Sequence, residues 1–290
     1  MRRVGLAFNA TNPDAIALHD RAVAWSRAQR LEAWSCPAAD LATLRAELPT
    51  SDALIVLGGD GTFLRAGRAV AETDVPILGI NSGTVGFLSK AEPEHLDQVL
   101  AQVRDGDFEL EPRMALEAIV YAGGEPASED AGGRGIGDGG ECHIGLNEAA
   151  VVRGSQARVV RLDVSIDDTH LATYLADGLI VATPTGSTGY SFSAGGPILD
   201  PTSRNLVLTP VAAYLAGIRS MVVSPRHTVL VRVESAYDVL VSIDGREEVP
   251  LAVGDSVRIS ARERPVRFIE PRGAPSFWDL LRRKVELLPR

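Results

Sequence analysis

The sequence predicts an α/β domain with an open, mostly parallel sheet, followed by an all-β domain of β-sandwich type. Short apolar runs alternate with helical patterns over about the first hundred of the 290 residues, the order typical of parallel α/β sheets. After about residue 107, apolar and polar residues alternate with period two, as in half-buried antiparallel strands. We therefore predict an α/β domain at 1–106, with 270–290 returning to it, and a β-rich domain at 107–269.

Each element of the first domain follows from a short pattern. Apolar runs predict strands at 4–8, 31–36, 52–57 and 75–80, and helical periodicity predicts helices at 13–30, 38–48 and 92–104. Ligands of such sheets bind outside the carboxyl ends of the strands. The loops after the strands at 52–57 and 75–80 are therefore the expected places for a site.

The loop after the strand at 52–57 has the composition of a phosphate site. It consists of Gly58, Gly59, Asp60, Gly61 and Thr62 and precedes a helical stretch. Glycines let the backbone approach a polyphosphate, and free N–H groups at the start of a helix favour anionic oxygens. A carboxylate is counterproductive beside phosphate unless it binds a metal or takes a proton, so Asp60 stands out. The alternative is a surface turn in which this aspartate caps the helix.

A second glycine-containing loop, residues 81–87, follows the strand at 75–80 and ends at Phe87. Because the carboxyl ends of parallel strands lie at one edge of the sheet, Asp60 and Phe87 can share one crevice despite their separation in sequence. The glycine-rich segment at 123–141 has no strand and helix around it. We interpret that segment as a flexible surface loop without a phosphate role.

The β-rich domain shows the two-residue period at several places. The alternating apolar residues are Val160, Leu162, Val164, Ile166, Val229, Val231, Val233, Val239, Val241, Ile243, Val257 and Ile259. The closing segment at 277–285 carries an apolar face and basic residues near its carboxyl end. This pattern predicts a helix that packs back onto the protein, and a membrane-surface helix is the alternative.

Two further stretches have the composition of a ligand site. A predicted strand after Asp177 leads to residues 183–190, a loop of glycines and hydroxyls that ends at Tyr190. Such a loop suits a flat polar ligand with the aromatic ring stacked on it, although similar clusters mark ordinary turns. Asn147 and Glu148 place an amide beside a carboxylate. Neighbours on a strand point to opposite faces, so a shared ligand requires a bend there; the alternative is a pair that faces solvent.

The charge, the cysteine content and the hydropathy of the sequence argue against several classes of function. A formal net charge of −9 and a pI of about 5.1 argue against binding to nucleic acid or an anionic membrane. Cys36 and Cys142 are too few for a disulfide framework and indicate a reducing cytoplasm. The first apolar run is too short for a signal peptide, and no run reaches the ~20 residues of a membrane helix. The scattered histidines have no metal-ligand spacing, so we predict no zinc site and assign no residue as a metal ligand.

Together these motifs resemble the NAD kinase family. The resemblance rests on residues 58–62, Asn147 with Glu148, residues 183–197, Asp244 with Gly245 and the tail at 277–282, and it runs through nearly the whole chain. The glycine-aspartate motif alone is shared with diacylglycerol-type lipid kinases and 6-phosphofructokinases. Its combination with the Thr-Pro-Thr-Gly-Ser-Thr loop is specific to NAD kinases.

The resemblance implies transfer of a phosphoryl group from ATP or polyphosphate to the 2′-hydroxyl of the adenosine ribose of NAD. Mg²⁺ or another divalent cation would accompany the donor. The first domain would handle the phosphate donor and the second would bind NAD. The family also implies a homodimer or homotetramer. The residues leave open whether the donor is ATP or polyphosphate and whether the acceptor is NAD or NADH.

The family's roles transfer to individual positions. Asp60 is implied as the general base at the 2′-hydroxyl, or as the residue that orients this hydroxyl. The residues implied at the adenosine part are Asn147, Thr188 and Ser193. Those implied at the nicotinamide riboside part are Glu148, Asp177 and Tyr190. The other implied site residues are Gly58, Gly59, Gly61, Thr62, Phe87, Gly189, Asp244 and Gly245.

The chain departs from the family pattern at a few positions. Gly189 stands where many members carry alanine, Ala213 and Tyr214 replace a Pro-His pair, and Arg246 stands where glutamine is frequent. Two other functions compete with the kinase. A lipid kinase requires an apolar acceptor groove, which the hydroxyl-rich loop does not favour. A non-catalytic NAD or NADPH sensor has no need of Asp60 in its phosphate turn.

Overall fold

The computed structural model describes residues 1–83, 86–123, 140–154, 158–214, 217, 219–234 and 238–286. The chain forms two compact units. The first consists of Met1–Arg113 and Pro265–Arg290, and the second of Met114–Arg264. The units divide at residues 113 and 265, whereas the sequence predicted division at 106 and 270.

The elements are numbered along the chain. The α-helices of the described residues are α1 (Pro13–Ala28), α2 (Leu41–Glu47), α3 (Asp60–Val70), α4 (Leu96–Asp105), α5 (Tyr190–Ser193) and α6 (Phe277–Glu286). The strands are β1 (Arg3–Phe8), β2 (Glu32–Pro37), β3 (Ala53–Leu57), β4 (Ile77–Ile80), β5 (Ser89–Ala91), β6 (Phe108–Arg113), β7 (Leu116–Tyr121), β8 (Glu141–Gly145), β9 (Glu148–Arg153), β10 (Val160–Ile166), β11 (Thr169–Ala176), β12 (Gly178–Ala182), β13 (Leu206–Val211), β14 (Met221–Val223), β15 (Val229–Val233), β16 (Val239–Ile243), β17 (Glu247–Leu251), β18 (Ser256–Ala261) and β19 (Val266–Pro271).

The first unit is built on a mostly parallel sheet. Its strand order is β2-β1-β3-β4-β19-β6, with β5 paired to β4. The pairs among β1 to β5 and the pair of β4 with β19 are parallel. Every residue of β3 and β4 is buried, as expected for a parallel sheet whose apolar strands lie inside the domain.

The difference at the domain boundary comes from one strand pair. β6 and β19 pair antiparallel from Phe108 opposite Pro271 to Arg113 opposite Val266. Both strands therefore belong to the first sheet. The sequence of β6, Phe-Glu-Leu-Glu-Pro-Arg, is an edge strand with charged and proline residues, and this composition gives no signal for the strand's distant partner.

Short-range interactions fix the ends of the helices. Asn12 caps α1 by accepting hydrogen bonds from the N–H groups of Asp14 (2.8 Å) and Ala15 (3.1 Å), and proline occupies the first turn. α4 ends at Gly106 with φ +77°, where glycine avoids steric strain. The predicted terminal helix is α6, whose Leu280 is buried. No helix of the described residues is long and apolar enough to cross a membrane.

The second unit consists of antiparallel strands. Its two sheets have the orders β11-β10-β15-β18-β7-β8 and β14-β13-β12-β9-β16-β17. Inward residues of both sheets, such as Val164 and Val181, belong to one buried apolar cluster, which is the arrangement of a β-sandwich. The fold class predicted from the sequence is therefore confirmed. Most of the loop predicted at 123–141, residues 124–139, lies outside the described residues.

Candidate functional site

The glycine turn of the first unit links β3 to α3. Gly58 has φ +157°, an angle that residues with side chains rarely adopt, and a Cβ atom there would lie 2.7 Å from Thr62 Oγ1. The N–H groups of Thr62 and Phe63 donate to Gly59 O at 2.9 and 3.1 Å. The two preceding N–H groups, of Asp60 and Gly61, have no backbone acceptor within the described residues. The start of α3 therefore offers donors to an anion.

Asp60 does not cap its own helix. Its carboxylate accepts hydrogen bonds from Phe87 N at 2.8 Å and Leu88 N at 3.1 Å. A Cβ atom on Gly86 would lie 1.9 Å from Asp60 Oδ1, so only glycine fits there. The loop that precedes β5 is thus shaped around this carboxylate. The structure brings together Asp60 and Phe87, as the sequence predicted.

Asn81 is a contributor to this loop that the sequence analysis did not single out. Its side chain is buried and donates from Nδ2 to Gly83 O (2.7 Å) and to Glu92 Oε2 (3.3 Å). Its Oδ1 accepts from Gly83 N at 3.2 Å. Asn81 therefore fixes the start of the loop whose end holds Asp60. The only sequence signal is an Asn-Ser-Gly turn after a buried strand.

In the second unit, the carboxylate of Asp244 accepts several backbone hydrogen bonds. This residue is buried and has φ +53°. Its carboxylate accepts from the N–H groups of Leu146 (3.0 Å), Asn147 (2.7 Å) and Glu148 (3.1 Å), and its N–H donates to Glu148 O at 2.9 Å. These bonds fix the backbone on which Asn147 and Glu148 stand. Asp244 thus positions two predicted ligand residues.

Glu148 is buried at the start of β9, beside Asp244. Burial, and then the neighbouring Asp244 carboxylate, raise the pKa of Glu148 to about 8, because both disfavour its charged form. At neutral pH the carboxyl group is mostly protonated and can donate as well as accept a hydrogen bond. Within the described residues, Glu148 Oε2 and Asn147 Oδ1 are buried without a hydrogen-bond partner. Buried polar atoms without partners are uncommon and indicate a missing ligand or water.

The hydroxyl-rich loop packs against these two residues. Thr183 Oγ1 donates to Leu146 O (2.5 Å) and accepts from Gly186 N (3.1 Å). A Cβ atom on Gly186 would lie 2.1 Å from Asn147 O, and one on Gly189 would lie 3.3 Å from Glu148 Oε2. The loop therefore comes close to Asn147 and Glu148 because glycines face them. The sequence analysis predicted that the hydroxyl groups of this loop bind a ligand. In the structure, several of them make hydrogen bonds that stabilise the loop.

A cavity of about 520 Å³ lies on the outer face of the β9 and β16 sheet. Three predicted residues line it: Glu148, Tyr190 and Gly245. Tyr190 is 43% exposed. The lining residues that the sequence analysis missed include Arg153, Asp238, Leu240 and Ser242. They occupy strand positions or strand ends whose pattern indicates only an outward-facing residue.

Asp177, Thr188 and Ser193 were also predicted to bind the nucleotide but do not line this cavity. The Asp177 carboxylate accepts from Arg153 Nε at 2.9 Å, so its partner is a lining residue. Thr188 donates to Thr185 O at 3.3 Å. Ser193 is exposed, and its hydroxyl lies 3.5 Å from Gly189 O. Asp177 lies beside the end of β9, whereas the other predicted residues of the second unit belong to the start of β9, the loop that leads into α5, α5 itself and the Asp244 turn.

The side chains of the described residues do not form a metal site on their own. The described residues contain no group of three His, Cys, Asp or Glu side chains that could hold a metal ion. Mg²⁺ usually keeps several waters and binds through substrate phosphates with one or two carboxylates. Asp60 is the carboxylate of the anion-binding turn, so the residues fit a Mg²⁺ ion that arrives with a polyphosphate.

Comparisons with known proteins match both units. The family model for the ATP-NAD kinase N-terminal domain matches residues 24–108, and that for the ATP-NAD kinase C-terminal domain matches residues 146–271. An NAD kinase of Syntrophotalea carbinolica is 36% identical over 98% of both chains. An NAD kinase of Symbiobacterium thermophilum is 42% identical over 81% of this chain and 78% of its own.

Two solved structures share the fold. Yeast NADH kinase, complexed with NADH, has a TM-score of 0.82 and 22% identity, covering 99% of this chain and 87% of its own. An NAD kinase from Archaeoglobus fulgidus, in complex with ATP, has a TM-score of 0.70 and 28% identity, covering 92% of each chain.

Proposed function

The chain belongs to the NAD kinase family and is an enzyme that phosphorylates NAD to NADP, and we propose that its donor is ATP with Mg²⁺. The observation that carries the proposal is the Asp60 carboxylate. It is held by two backbone N–H groups beside a helix start whose own N–H groups are available to phosphate. The ATP complex of the related Archaeoglobus enzyme supports this donor.

In the proposed reaction the glycine turn binds the donor phosphates. The N–H groups of Asp60 and Gly61 and the dipole of α3 attract the phosphate oxygens. The 2′-oxygen of NAD attacks the terminal phosphorus, the bond from that phosphorus to the bridging oxygen breaks, and ADP leaves. Positioning and electrostatics provide most of the rate in such transfers.

Asp60 accepts the proton of the 2′-hydroxyl in this mechanism. Each of its oxygens already accepts one N–H and keeps a further lone pair. The two N–H donors also offset the repulsion between the carboxylate and the phosphates. Each carboxylate oxygen therefore keeps an acceptor direction for a substrate hydroxyl or a cation.

Mg²⁺ would neutralise the developing charge on the transferred phosphate. Asp60 is the side chain that would hold this ion together with the phosphate oxygens of the donor, because the described residues contain no group of three His, Cys, Asp or Glu side chains that could hold a metal. The protein's own contribution is then the N–H donors of the turn and the fixed orientation of one carboxylate.

We propose that the second unit recognises the nucleotide. Asn147, Thr188 and Ser193 bind the adenosine part, and Glu148, Asp177 and Tyr190 the nicotinamide riboside part. The orphaned Asn147 Oδ1 and Glu148 Oε2 support this assignment. The exposed ring of Tyr190 supports stacking on a flat group. Asp177 acts through Arg153, to which it is hydrogen-bonded.

The location and the oligomeric state of the enzyme are also proposals. We infer a cytoplasmic homodimer or homotetramer. Exposed apolar residues of the second unit, including Phe192, Tyr214 and Val222, support an assembly through that unit. Sedimentation at several protein concentrations checks the assembly, and a single monomeric species contradicts it.

The experiment that tests the reaction compares donors and acceptors in one assay. NADP formation from ATP, Mg²⁺ and NAD is read with an NADP-specific dehydrogenase, with polyphosphate as donor and NADH as acceptor in parallel. ATP with NAD is expected to give the highest rate. Absence of NADP, while NAD still binds in calorimetry, would favour a sensor.

Asp60→Asn tests the assigned base. We expect turnover to fall about 10²- to 10⁴-fold, the usual contribution of a general base, with folding retained. Asp52→Asn is the matched control, because Asp52 also accepts two backbone N–H groups, from Arg2 (2.6 Å) and Arg3 (3.0 Å). Turnover near the wild-type value in Asp60→Asn, or an equal loss in Asp52→Asn, contradicts the assignment.

A further inference from the structure

The carboxylate of Asp60 depends on a loop that the last helix of the chain contacts. Asp60 is held by the N–H groups of Phe87 and Leu88. The backbone at Phe87 is therefore part of the geometry of the proposed base. Whatever fixes Phe87 also fixes the direction in which the carboxylate points.

Two side chains of α6 contact the Phe87 ring. The ring centroid of Phe277 lies 5.9 Å from that of Phe87, with a 38° angle between the planes. The ammonium group of Lys284 lies 4.7 Å from the Phe87 ring centroid. Both distances are within the ranges of favourable aromatic and cation–π contacts. The Phe87 side chain thus makes contacts at both ends of one helix.

The spacing on α6 explains how one helix makes both contacts. Phe277 and Lys284 are seven residues apart, which is close to two helical turns, so they lie on the same face. Leu280 lies between them on that face and is 2% exposed. Ser276 and Asp279 cap the helix reciprocally: Ser276 Oγ donates to Asp279 Oδ2 at 2.7 Å, and Asp279 N donates to Ser276 Oγ at 3.1 Å. The start of the helix, and with it Phe277, is therefore fixed.

We propose that Phe277 and Lys284 are positioning residues for the phosphoryl transfer: through the Phe87 ring they hold the two N–H groups that orient the Asp60 carboxylate. This inference rests on the proposed function of Asp60. Neither side chain touches substrate in this scheme. Both act on the rate of the chemical step and not on the affinity for ATP or NAD.

Lys284→Met and Phe277→Leu remove the two contacts while keeping an apolar side chain of similar length. We expect kcat to fall about 2- to 5-fold in Lys284→Met, the value of an exposed cation–π contact, and up to about 10²-fold in Phe277→Leu if the carboxylate shifts by about 1 Å. The KM values for ATP and NAD are expected to stay within about 2-fold. Lys284→Arg keeps the cation and should restore kcat.

Arg283→Met is the matched control, because it removes one positive charge from the adjacent, exposed position of α6. It should leave kcat unchanged. A second test uses the Asp60→Asn background, in which Lys284→Met should cause no further loss, since residues that act through one group are not additive. A full additional loss in that background, or an equal loss in Arg283→Met, overturns the proposal.

Amide exchange tests the same inference without the reaction. In protein labelled with [¹⁵N]phenylalanine and [¹⁵N]leucine, the Phe87 and Leu88 amides should exchange at least about 2-fold faster in Lys284→Met, as expected when a contact of this strength is lost. Arg283→Met should exchange like the wild type. Unchanged exchange in Lys284→Met and Phe277→Leu overturns the proposal, even if the protein makes NADP. Faster exchange without NADP formation contradicts only the proposed function.

Discussion

Each unit contains a carboxylate that accepts hydrogen bonds from two or more backbone N–H groups. The two carboxylates differ in whether an acceptor direction remains for a ligand. Asp60 accepts two N–H groups and is half-buried at the start of a helix. Asp244 accepts three and is 5% exposed. The first keeps an acceptor direction for a substrate. The second organises the backbone of its neighbours, and the neighbour Glu148 keeps the unsatisfied oxygen.

This difference shows that acidic residues in similar sequence motifs can have different roles. Both Asp60 and Asp244 are followed by glycine in the sequence, and the resemblance to the family placed both at the site. Burial and the number of N–H donors separate a group suited to proton transfer from one suited to positioning. The predictions that follow test this separation.

The largest expected effect concerns Glu148 and pH. Its folded pKa of about 8 is raised from 4.5, so the folded protein holds this proton more tightly than the unfolded chain. Its contribution to stability is fully present below pH 4.5 and is lost as pH rises to about 8. The loss is up to about 5 kcal/mol, at about 1.36 kcal/mol per pKa unit.

Glu148→Gln should abolish this part of the pH dependence. Urea unfolding between pH 5 and 9 measures it, and Glu109→Gln, at an exposed position of β6, is the control that should keep the wild-type profile. A Glu148→Gln profile parallel to that of the wild type contradicts the assignment of the raised pKa.

Gly86→Ala tests the anchoring of Asp60. The added carbon would lie 1.9 Å from Asp60 Oδ1, so the carboxylate must turn away. We expect kcat to fall about 10²-fold, as for a displacement of about 1 Å. Gly83→Ala is a control in the same loop, because a Cβ atom there meets no atom within 4 Å. Equal kcat values for the two variants would show that the orientation of Asp60 does not matter.

Asp244→Asn tests the positioning role in the second unit. One amide N–H₂ group then faces a backbone N–H donor, which leaves a buried group unsatisfied and costs about 1–3 kcal/mol of unfolding free energy. If the whole cost falls on NAD binding, the KM for NAD is expected to rise about 5- to 100-fold, at 1.4 kcal/mol per factor of ten, while kcat stays near the wild-type value. Denaturant unfolding and steady-state kinetics measure both. A kcat loss as large as that of Asp60→Asn would make Asp244 part of the chemistry.

Ser193→Ala has the smallest expected effect. Its hydroxyl is exposed, and its bond to Gly189 O is long at 3.5 Å, so stability should change little. If the hydroxyl binds adenosine, the KM for NAD rises about 2- to 10-fold, the value of one hydrogen bond of about 0.5–1.5 kcal/mol. Isothermal calorimetry with NAD checks the same change. Unchanged affinity would remove Ser193 from the site.

Much of the fold was predictable because its signals are local. The apolar run of β3 and the two-residue period of β10 can each be recognised from consecutive residues. The pairing of β6 with β19 was not predictable, because the partners are more than 150 residues apart and β6 carries charges and a proline. Only a packed structure brings such strands together.

The candidate site divides in the same way. Asp60 and Glu148 could be proposed as site residues because their side-chain chemistry stands out in an apolar or glycine-rich context, and these assignments stay predictions. The donors that hold Asp60 are peptide N–H groups 27 and 28 residues away, and every residue except proline has such a group. Arg153 and Asp238 were missed for a related reason. Charged residues at strand ends usually face solvent, and only the cavity distinguishes these two.

The place of β19 and α6 in the first sheet bears on how the protein is made. The ribosome releases residues 1–113 first, then the whole of the second unit, and only then the strand that pairs with β4 and β6. Contacts this distant in sequence form late and slowly. Until β19 and α6 emerge, β4 lacks one of its neighbouring strands and Phe87 lacks its aromatic and cationic contacts. The nascent chain therefore acquires its complete phosphate-handling unit only after β19 and α6 have been synthesised.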